Sequence, residues 1–163
     1  MTHASSRLPE LGRRGGGWVV AQTVLLVLIA LSALVGLSWP DYLHVPALAV
    51  GIALMAFGIF LVIAGSLALG PALSPFPAPR ERGRLTERSV YGHVRHPIYG
   101  GGILLGAGWS LVFASVVGGV LTLLLALCFD LKSRVEERWL EQRYGEYADY
   151  RRRTRRRFVP GVY

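Results

Sequence analysis

The sequence contains two groups of polar residues that could bind and activate a ligand. In the first group, Arg95 and His96 directly precede Pro97, and three glycines follow at positions 100–102. Pro97 suits the first turn of a helix, where the missing N–H group of proline costs nothing. Arg95 and His96 would then lie at a helix N-terminus, whose free N–H groups favour the anionic part of a ligand. The alternative is that Arg95 contacts lipid phosphates, His96 caps the helix and the glycines only pack helices.

The second group lies further along the chain and combines two cations with two adjacent carboxylates. It consists of Lys132, Arg134, Glu136 and Glu137. Lys132 and Glu136 share one helix face, so an ordinary surface ion pair is the plain interpretation. Against that interpretation, the group begins directly after an apolar stretch, at the depth where Arg95 would leave the membrane. Ionisable residues at membrane level indicate a functional pocket, so we expect the two groups to face each other.

Long uncharged runs must hold these groups in place. Residues 18–38 and 46–69 contain no charged residue. A helix rises about 1.5 Å per residue and the hydrocarbon core is about 30 Å thick, so each run can cross it. Residues 98–131 are too long for one span and fit two short helices with a turn near residues 114–119. The sequence therefore predicts an all-α, polytopic membrane protein whose four transmembrane helices lie at about 18–38, 46–69, 98–114 and 117–131.

The distribution of arginine predicts the orientation of these spans. The N-terminal tail, the loop at 71–97 and the C-terminal tail carry arginines, whereas the link between the first two spans has none. By the positive-inside rule both termini are cytoplasmic, which requires an even number of spans and makes the last two a tight hairpin. Residues 1–17 are predicted as a mobile tail and 18–163 as one membrane domain. Within that domain, residues 132–163 form a cytosolic amphipathic helix and a basic tail.

The net charge of +8 raises the question of an anionic partner. The basic residues flank membrane spans, so anionic lipid headgroups explain the charge and no nucleic-acid partner is predicted. Cys128 is the single cysteine, and no cluster of Cys and His residues predicts a metal site. Neither of the first two spans contains an ionisable residue, which disfavours a transporter.

Taken together, these residues resemble the isoprenylcysteine carboxyl methyltransferase family and the related membrane phospholipid methyltransferases. The resemblance rests on Tyr91, the run Arg-His-Pro-Ile-Tyr-Gly at 95–100, the adjacent pair of glutamates, and Tyr-Gly-Glu-Tyr at 144–147. It covers about residues 73–159. It implies a membrane enzyme that transfers a methyl group from S-adenosyl-L-methionine to an amphiphilic acceptor, which reaches the site from the lipid bilayer.

The same resemblance implies roles for individual residues. The cofactor-binding set is Leu85, Thr86, Tyr91, His96, Pro97, Tyr99, Gly100 and Glu136. Lys132 or Arg134 would hold the acceptor, and Arg95 and Glu137 are the catalytic candidates. A carboxylate acceptor needs a cation to hold it, whereas an amine or a thiol also needs a base, for which Glu137 or His96 is available. The residues themselves leave these acceptors open, and the name of the family favours the carboxylate.

A function of another class is a non-enzymatic membrane protein that binds anionic lipid or a partner through its basic tail. The two hypotheses make different demands on Glu136. An enzyme should lose cofactor affinity when Glu136 is replaced, whereas a lipid-binding adaptor should be unaffected.

Overall fold

The structure, a computed structural model, describes residues 15–77 and 85–161. Within these ranges the secondary structure is helical, with no strand, which confirms the all-α class. The α-helices are α1 (Gly16–Leu31), α2 (Asp41–Leu69), α3 (Pro97–Val112), α4 (Val116–Arg143) and α5 (Tyr147–Arg153). Short 3₁₀ turns lie at Ser32–Val35, Gly70–Ala72 and Ser89–Gly92. Residues 1–14 of the predicted mobile tail lie outside the described residues. α1 begins at Gly16, within the last part of that predicted tail.

Three of the described segments are long and apolar enough to cross a membrane. They are Gly16–Val35, Asp41–Ala72 and Val116–Arg143. The fourth apolar helix, α3, has 16 residues. At about 1.5 Å per residue it reaches roughly 24 Å, which is less than the hydrocarbon thickness of about 30 Å. α3 packs closely against α2 and also contacts α4, while α1 packs on α4.

The link between α1 and α2 ends five residues earlier than the sequence predicts. The predicted second span begins at residue 46, whereas α2 begins at Asp41 and includes Pro46. Pro46 is the sixth residue of α2, beyond the first turn, so its missing N–H group removes one hydrogen bond of the helix. Trp39 donates from Nε1 to the carbonyl oxygen of Leu111 at 2.7 Å. The link is therefore attached to the C-terminal end of α3.

Glycines bring α2 and α3 into backbone contact. Gly51, Gly58 and Gly65 occupy every seventh position of α2 and are all buried. A Cβ atom at Gly58 would lie 2.8 Å from the carbonyl oxygen of Gly101, and one at Gly108 would lie 2.5 Å from that of Gly51. Such close approach gives strong van der Waals packing between membrane helices. This packing fixes the position of α3, and with it the residues at its N-terminal end.

The predicted hairpin of α3 and α4 is present, and it turns at residues 113–115. Ala114 has a positive φ of 46°, and the hydroxyl of Ser115 accepts a hydrogen bond from the N–H of Gly118 at 3.0 Å. The same hydroxyl donates to the carbonyl oxygen of Ser32 at 3.0 Å. The turn is therefore capped within the hairpin and anchored to the end of α1.

One continuous helix, α4, joins the apolar bundle to the polar part of the chain. Its buried residues include Thr122, Leu125, Phe129, Lys132, Ser133 and Glu137. Apart from the adjacent pair Lys132 and Ser133, they lie three or four positions apart, which places them on one face of the helix. The face that packs in the apolar bundle therefore continues into the charged region. The amphipathic segment predicted from residue 132 is the C-terminal part of α4, which ends at Arg143.

Candidate active site

A cavity of about 540 Å³ lies beside the N-terminal end of α3. Its polar end is lined by Leu85, Thr86, Tyr91, Arg95, His96, Glu136, Tyr144, Tyr147 and Tyr150. Its apolar end lies between the helices and is lined by Leu26, Val62, Leu105 and Phe129, which come from α1, α2, α3 and α4 in turn. The two groups of polar residues singled out in the sequence therefore meet at one cavity, which continues into the helix bundle.

Arg95 is buried and its guanidinium group is held by protein acceptors. Its Nε donates to Glu137 Oε1 at 2.9 Å, and its Nη1 donates to the carbonyl oxygens of Thr154 and Arg155, each at 2.7 Å. Its backbone N–H donates to the carbonyl oxygen of Arg156 at 3.0 Å. Arg95 thus joins the start of α3 to the segment after α5, and it also lines the cavity wall.

Glu137 holds the two residues before Pro97 in place. It is 4% exposed and accepts from Arg95 at 2.9 Å, and its Oε1 lies 3.1 Å from His96 Nε2. Arg157 Nε lies 3.5 Å from the same oxygen. Glu137 is not among the residues that line the cavity. A carboxylate held between guanidinium groups stays ionised and accepts hydrogen bonds, so its geometry suits positioning of His96 better than proton abstraction.

Glu136 and Tyr99 form the wall on the opposite side of His96. The phenol of Tyr99 donates to Glu136 Oε2 at 2.7 Å, and the ring of Tyr99 stacks on the His96 ring with a centroid distance of 5.3 Å. The Glu136 side chain keeps 26% of its surface exposed and lines the cavity. Its carboxylate is therefore accessible to a ligand, unlike that of Glu137.

Lys132 is fully buried at the junction between the polar and apolar parts of the cavity. Its Nζ donates to Gln22 Oε1 at 2.5 Å and to the carbonyl oxygen of Pro75 at 2.7 Å, and it lies 5.0 Å from the centre of the Tyr99 ring. The interpretation of Lys132 and Glu136 as an ordinary surface ion pair is therefore wrong. Sequence reasoning missed Gln22, although an amide within an otherwise apolar span is a recognisable signal.

Four of the predicted site residues lie away from the cavity. Glu137 is one, and Arg134 is another, since its exposed side chain pairs with Asp130 at 2.8 Å. Pro97 is buried where α3 contacts α2, and the backbone of Phe158 covers Gly100, where a Cβ atom would lie 2.0 Å from the Phe158 carbonyl oxygen. Arg134 lies two positions beyond Lys132, about 200° around the helix, so the two cannot face the same cavity.

Tyrosines from the turn before α3 and from α5 close the polar end of the cavity. Tyr150 donates to the carbonyl oxygen of Tyr91 at 2.7 Å. The hydroxyl of Tyr147 is buried and has no hydrogen-bond partner among the described residues. Burial, followed by the charge of Glu137, raises the pKa of Tyr147 far above its ordinary value, so the phenol stays a neutral donor. Sequence reasoning quoted Tyr147 as part of the resemblance and gave it no role.

The chain was also compared with known proteins. The model of the phospholipid methyltransferase family matches residues 46–147, more than half of the chain. The matched range contains α3, α4 and the cavity residues from Val62 to Tyr147. No curated protein sequence matches the chain. The cavity and the family match lead to one assignment: the chain belongs to the phospholipid methyltransferase family, within the group of membrane methyltransferases related to isoprenylcysteine carboxyl methyltransferase.

Proposed function

We propose that the protein transfers a methyl group from S-adenosyl-L-methionine to a lipophilic acceptor that enters the cavity from the membrane. The observation that carries this proposal is the continuity of the cavity, whose polar end contains His96 and Glu136 and whose apolar end contains Leu26 and Phe129. A cofactor that is polar and an acceptor that is apolar would meet between these ends. The volume of about 540 Å³ lies within the roughly 300–1,000 Å³ of ligand pockets.

The residues at the polar end fit the cofactor. Its sulfonium group supplies the activated methyl, so the protein needs to align the reactants and exclude water. The accessible carboxylate of Glu136 can accept from a cationic amino group or lie close to a positive charge. The unpartnered hydroxyl of Tyr147 can donate to an anionic or carbonyl oxygen. Arg95 and Glu137 keep His96 in place, as the hydrogen bonds above indicate.

The charge of Lys132 favours a carboxylate acceptor. Its ammonium group has three N–H donors, and two of them have protein acceptors, which leaves one for a ligand. A methylated amine would be cationic, and at about 5 Å from Lys132 the repulsion is about 3 kcal/mol with an effective dielectric constant near 20. Glu136 is the only carboxylate among the described lining residues, and it lies at the polar end. A carboxylate on an apolar chain therefore matches this cavity best.

The proposed orientation places the cavity on the cytoplasmic side. The residues around its polar end belong to the arginine-rich parts of the chain, and cytoplasmic segments carry an excess of Lys and Arg. In this arrangement α3 is the fourth, short span, which crosses the membrane packed against α2 and α4. Both termini are then cytoplasmic, and the polar part of α4 extends from the membrane as an amphipathic helix.

Calorimetric titration of S-adenosylhomocysteine into detergent-purified protein tests the proposal. We expect Glu136→Gln to weaken binding by about tenfold or more, because a hydrogen bond to a charged group contributes roughly 1.5–3 kcal/mol. Glu141→Gln is the matched control, since Glu141 is exposed and pairs with Arg151. Absence of binding to well-folded wild type, in detergent and in lipid nanodiscs, would exclude the methyltransferase and support the lipid-binding alternative.

A further inference from the structure

A second cleft, of about 400 Å³, lies between the turn before α3 and the segment that follows α5. Its basic lining residues are Arg153, Arg155 and Arg156, with His93 beside them, and no acidic residue is among the described lining residues. The cleft is separate from the first cavity, with which it shares no lining residue. It is therefore a distinct basic site at the same end of the helix bundle.

The arginines of this cleft differ from their neighbours in how they are paired. Arg151 and Arg152 form ion pairs with Glu141 and Asp149. Arg153 contacts Glu87 at 2.6 Å. In contrast, the exposed guanidinium groups of Arg155 and Arg156 have no hydrogen-bond or ion-pair partner within residues 15–77 and 85–161. Positive charge that the protein does not neutralise is thus concentrated at the cleft.

The position of the cleft relative to the membrane favours a lipid headgroup. His93 is followed within four residues by Pro97, where the apolar helix α3 begins. Four residues extend at most about 14 Å, so the cleft lies at or near the headgroup layer. Lipid phosphates occupy that layer, just outside the hydrocarbon core. A guanidinium group matches the geometry of a phosphate by donating two parallel hydrogen bonds.

We propose that this cleft binds the phosphate group of an anionic phospholipid, held by Arg155 and Arg156 with His93 beside them. The proposal specifies a discrete site, in contrast to diffuse attraction between the basic tail and the membrane. The lipid would neutralise two neighbouring cations whose mutual repulsion otherwise opposes an ordered backbone between residues 153 and 157.

The same backbone segment supports the first cavity. The carbonyl oxygens of Thr154 and Arg155 accept from Arg95 Nη1. The carbonyl oxygens of Arg156 and Arg157 accept from the backbone N–H groups of Arg95 and His96 at 3.0 and 2.8 Å. A phosphate bound by the side chains of this segment would therefore stabilise the position of His96. This consequence, unlike the lipid site itself, rests on the proposed methyltransferase function.

Titration of phosphatidylglycerol into protein in a non-ionic detergent, followed by native mass spectrometry, tests the site without any cofactor. The variants are Arg155→Gln with Arg156→Gln, and the matched control Arg151→Gln with Arg152→Gln, which removes the same charge outside the cleft. We expect the first variant to bind about thirtyfold more weakly than wild type, since each arginine near an anionic surface contributes roughly a factor of five. The control should bind like wild type, and phosphatidylcholine should bind weakly throughout.

Equal weakening in both variants would overturn the discrete site and indicate diffuse attraction. Inorganic phosphate that binds as tightly as phosphatidylglycerol would overturn the assignment to a lipid and indicate a free anion. The coupling is measured separately, as affinity for S-adenosylhomocysteine in nanodiscs with and without phosphatidylglycerol. We expect the anionic lipid to raise this affinity in wild type and to leave the variant at Arg155 and Arg156 unchanged. Failure of the cofactor to bind in either nanodisc would count against the methyltransferase and would leave the lipid measurement intact.

Discussion

The substitution Tyr147→Phe removes one oxygen atom from the cavity wall. We expect it to have opposite effects on the stability of the protein and on its affinity for the cofactor. Tyr147 is 1% exposed, and its hydroxyl has no partner among the described residues. A buried donor without an acceptor costs about 1–3 kcal/mol. The substitution would remove that cost, so the unliganded variant should be at least as stable as wild type. Since a melting temperature shifts by roughly 2–4 °C per kcal/mol in a domain of this size, any shift should be upward by a few degrees.

The effect on ligand binding should have the opposite sign. If the Tyr147 hydroxyl donates to the cofactor, its loss removes a hydrogen bond that contributes about 0.5–1.5 kcal/mol, or more with a charged acceptor. We therefore expect the affinity for S-adenosylhomocysteine to fall by about two- to tenfold, and by more if the acceptor is charged. Calorimetric titration gives the affinity, and thermal unfolding followed by intrinsic fluorescence gives the stability of the same detergent-purified sample.

Tyr150 provides the matched control. Its hydroxyl donates to the carbonyl oxygen of Tyr91 at 2.7 Å, so Tyr150→Phe should lower the stability of the unliganded protein by about 1 kcal/mol. The two substitutions remove the same atom from tyrosines on one short helix, with opposite expected shifts in melting temperature. A fall in the stability of Tyr147→Phe equal to that of Tyr150→Phe would show that the Tyr147 hydroxyl has an acceptor in the unliganded protein. Unchanged affinity for S-adenosylhomocysteine would show that this hydroxyl does not donate to the cofactor.

Two further predictions concern charge. Lys132→Met should leave affinity for S-adenosylhomocysteine within about twofold and slow methyl transfer to a prenylated N-acetylcysteine by about tenfold or more. Methylation of phosphatidylethanolamine but not of the prenylated N-acetylcysteine by the wild type would refute a carboxylate acceptor. Burial raises the pKa of Tyr91, Tyr147 and Tyr150 above 10.0, so stability should be full below about pH 10 and fall above it, by roughly 1.4 kcal/mol per tyrosine and pH unit. Unfolding measured at several alkaline pH values gives the change in stability per pH unit. Tyr147→Phe should reduce that change by the contribution of one tyrosine, roughly 1.4 kcal/mol per pH unit.

The sequence alone was sufficient to locate most of the apolar helices and the two polar groups, although it did not predict α5. Uncharged runs must be helical to satisfy their backbone in a membrane, and the structure has helices over most of the predicted runs. Pro97 begins α3 as its preference for the first turn predicts. Lys132 and Glu136 line one cavity because a spacing of four residues keeps both on one helix face. These are local properties, which periodicity and residue preference express.

Which side chains face the cavity depends on how the helices pack. Lys132 and Arg134 are equivalent cations in the sequence, and the position of Gln22 on α1 and of the Pro75 carbonyl determines that Lys132 is the buried one. The contact between Arg95 and the segment after α5 cannot be predicted from the sequence either. It depends on backbone carbonyl oxygens such as that of Arg156, and every residue type has a carbonyl group, so no pattern of side chains specifies where such a contact forms.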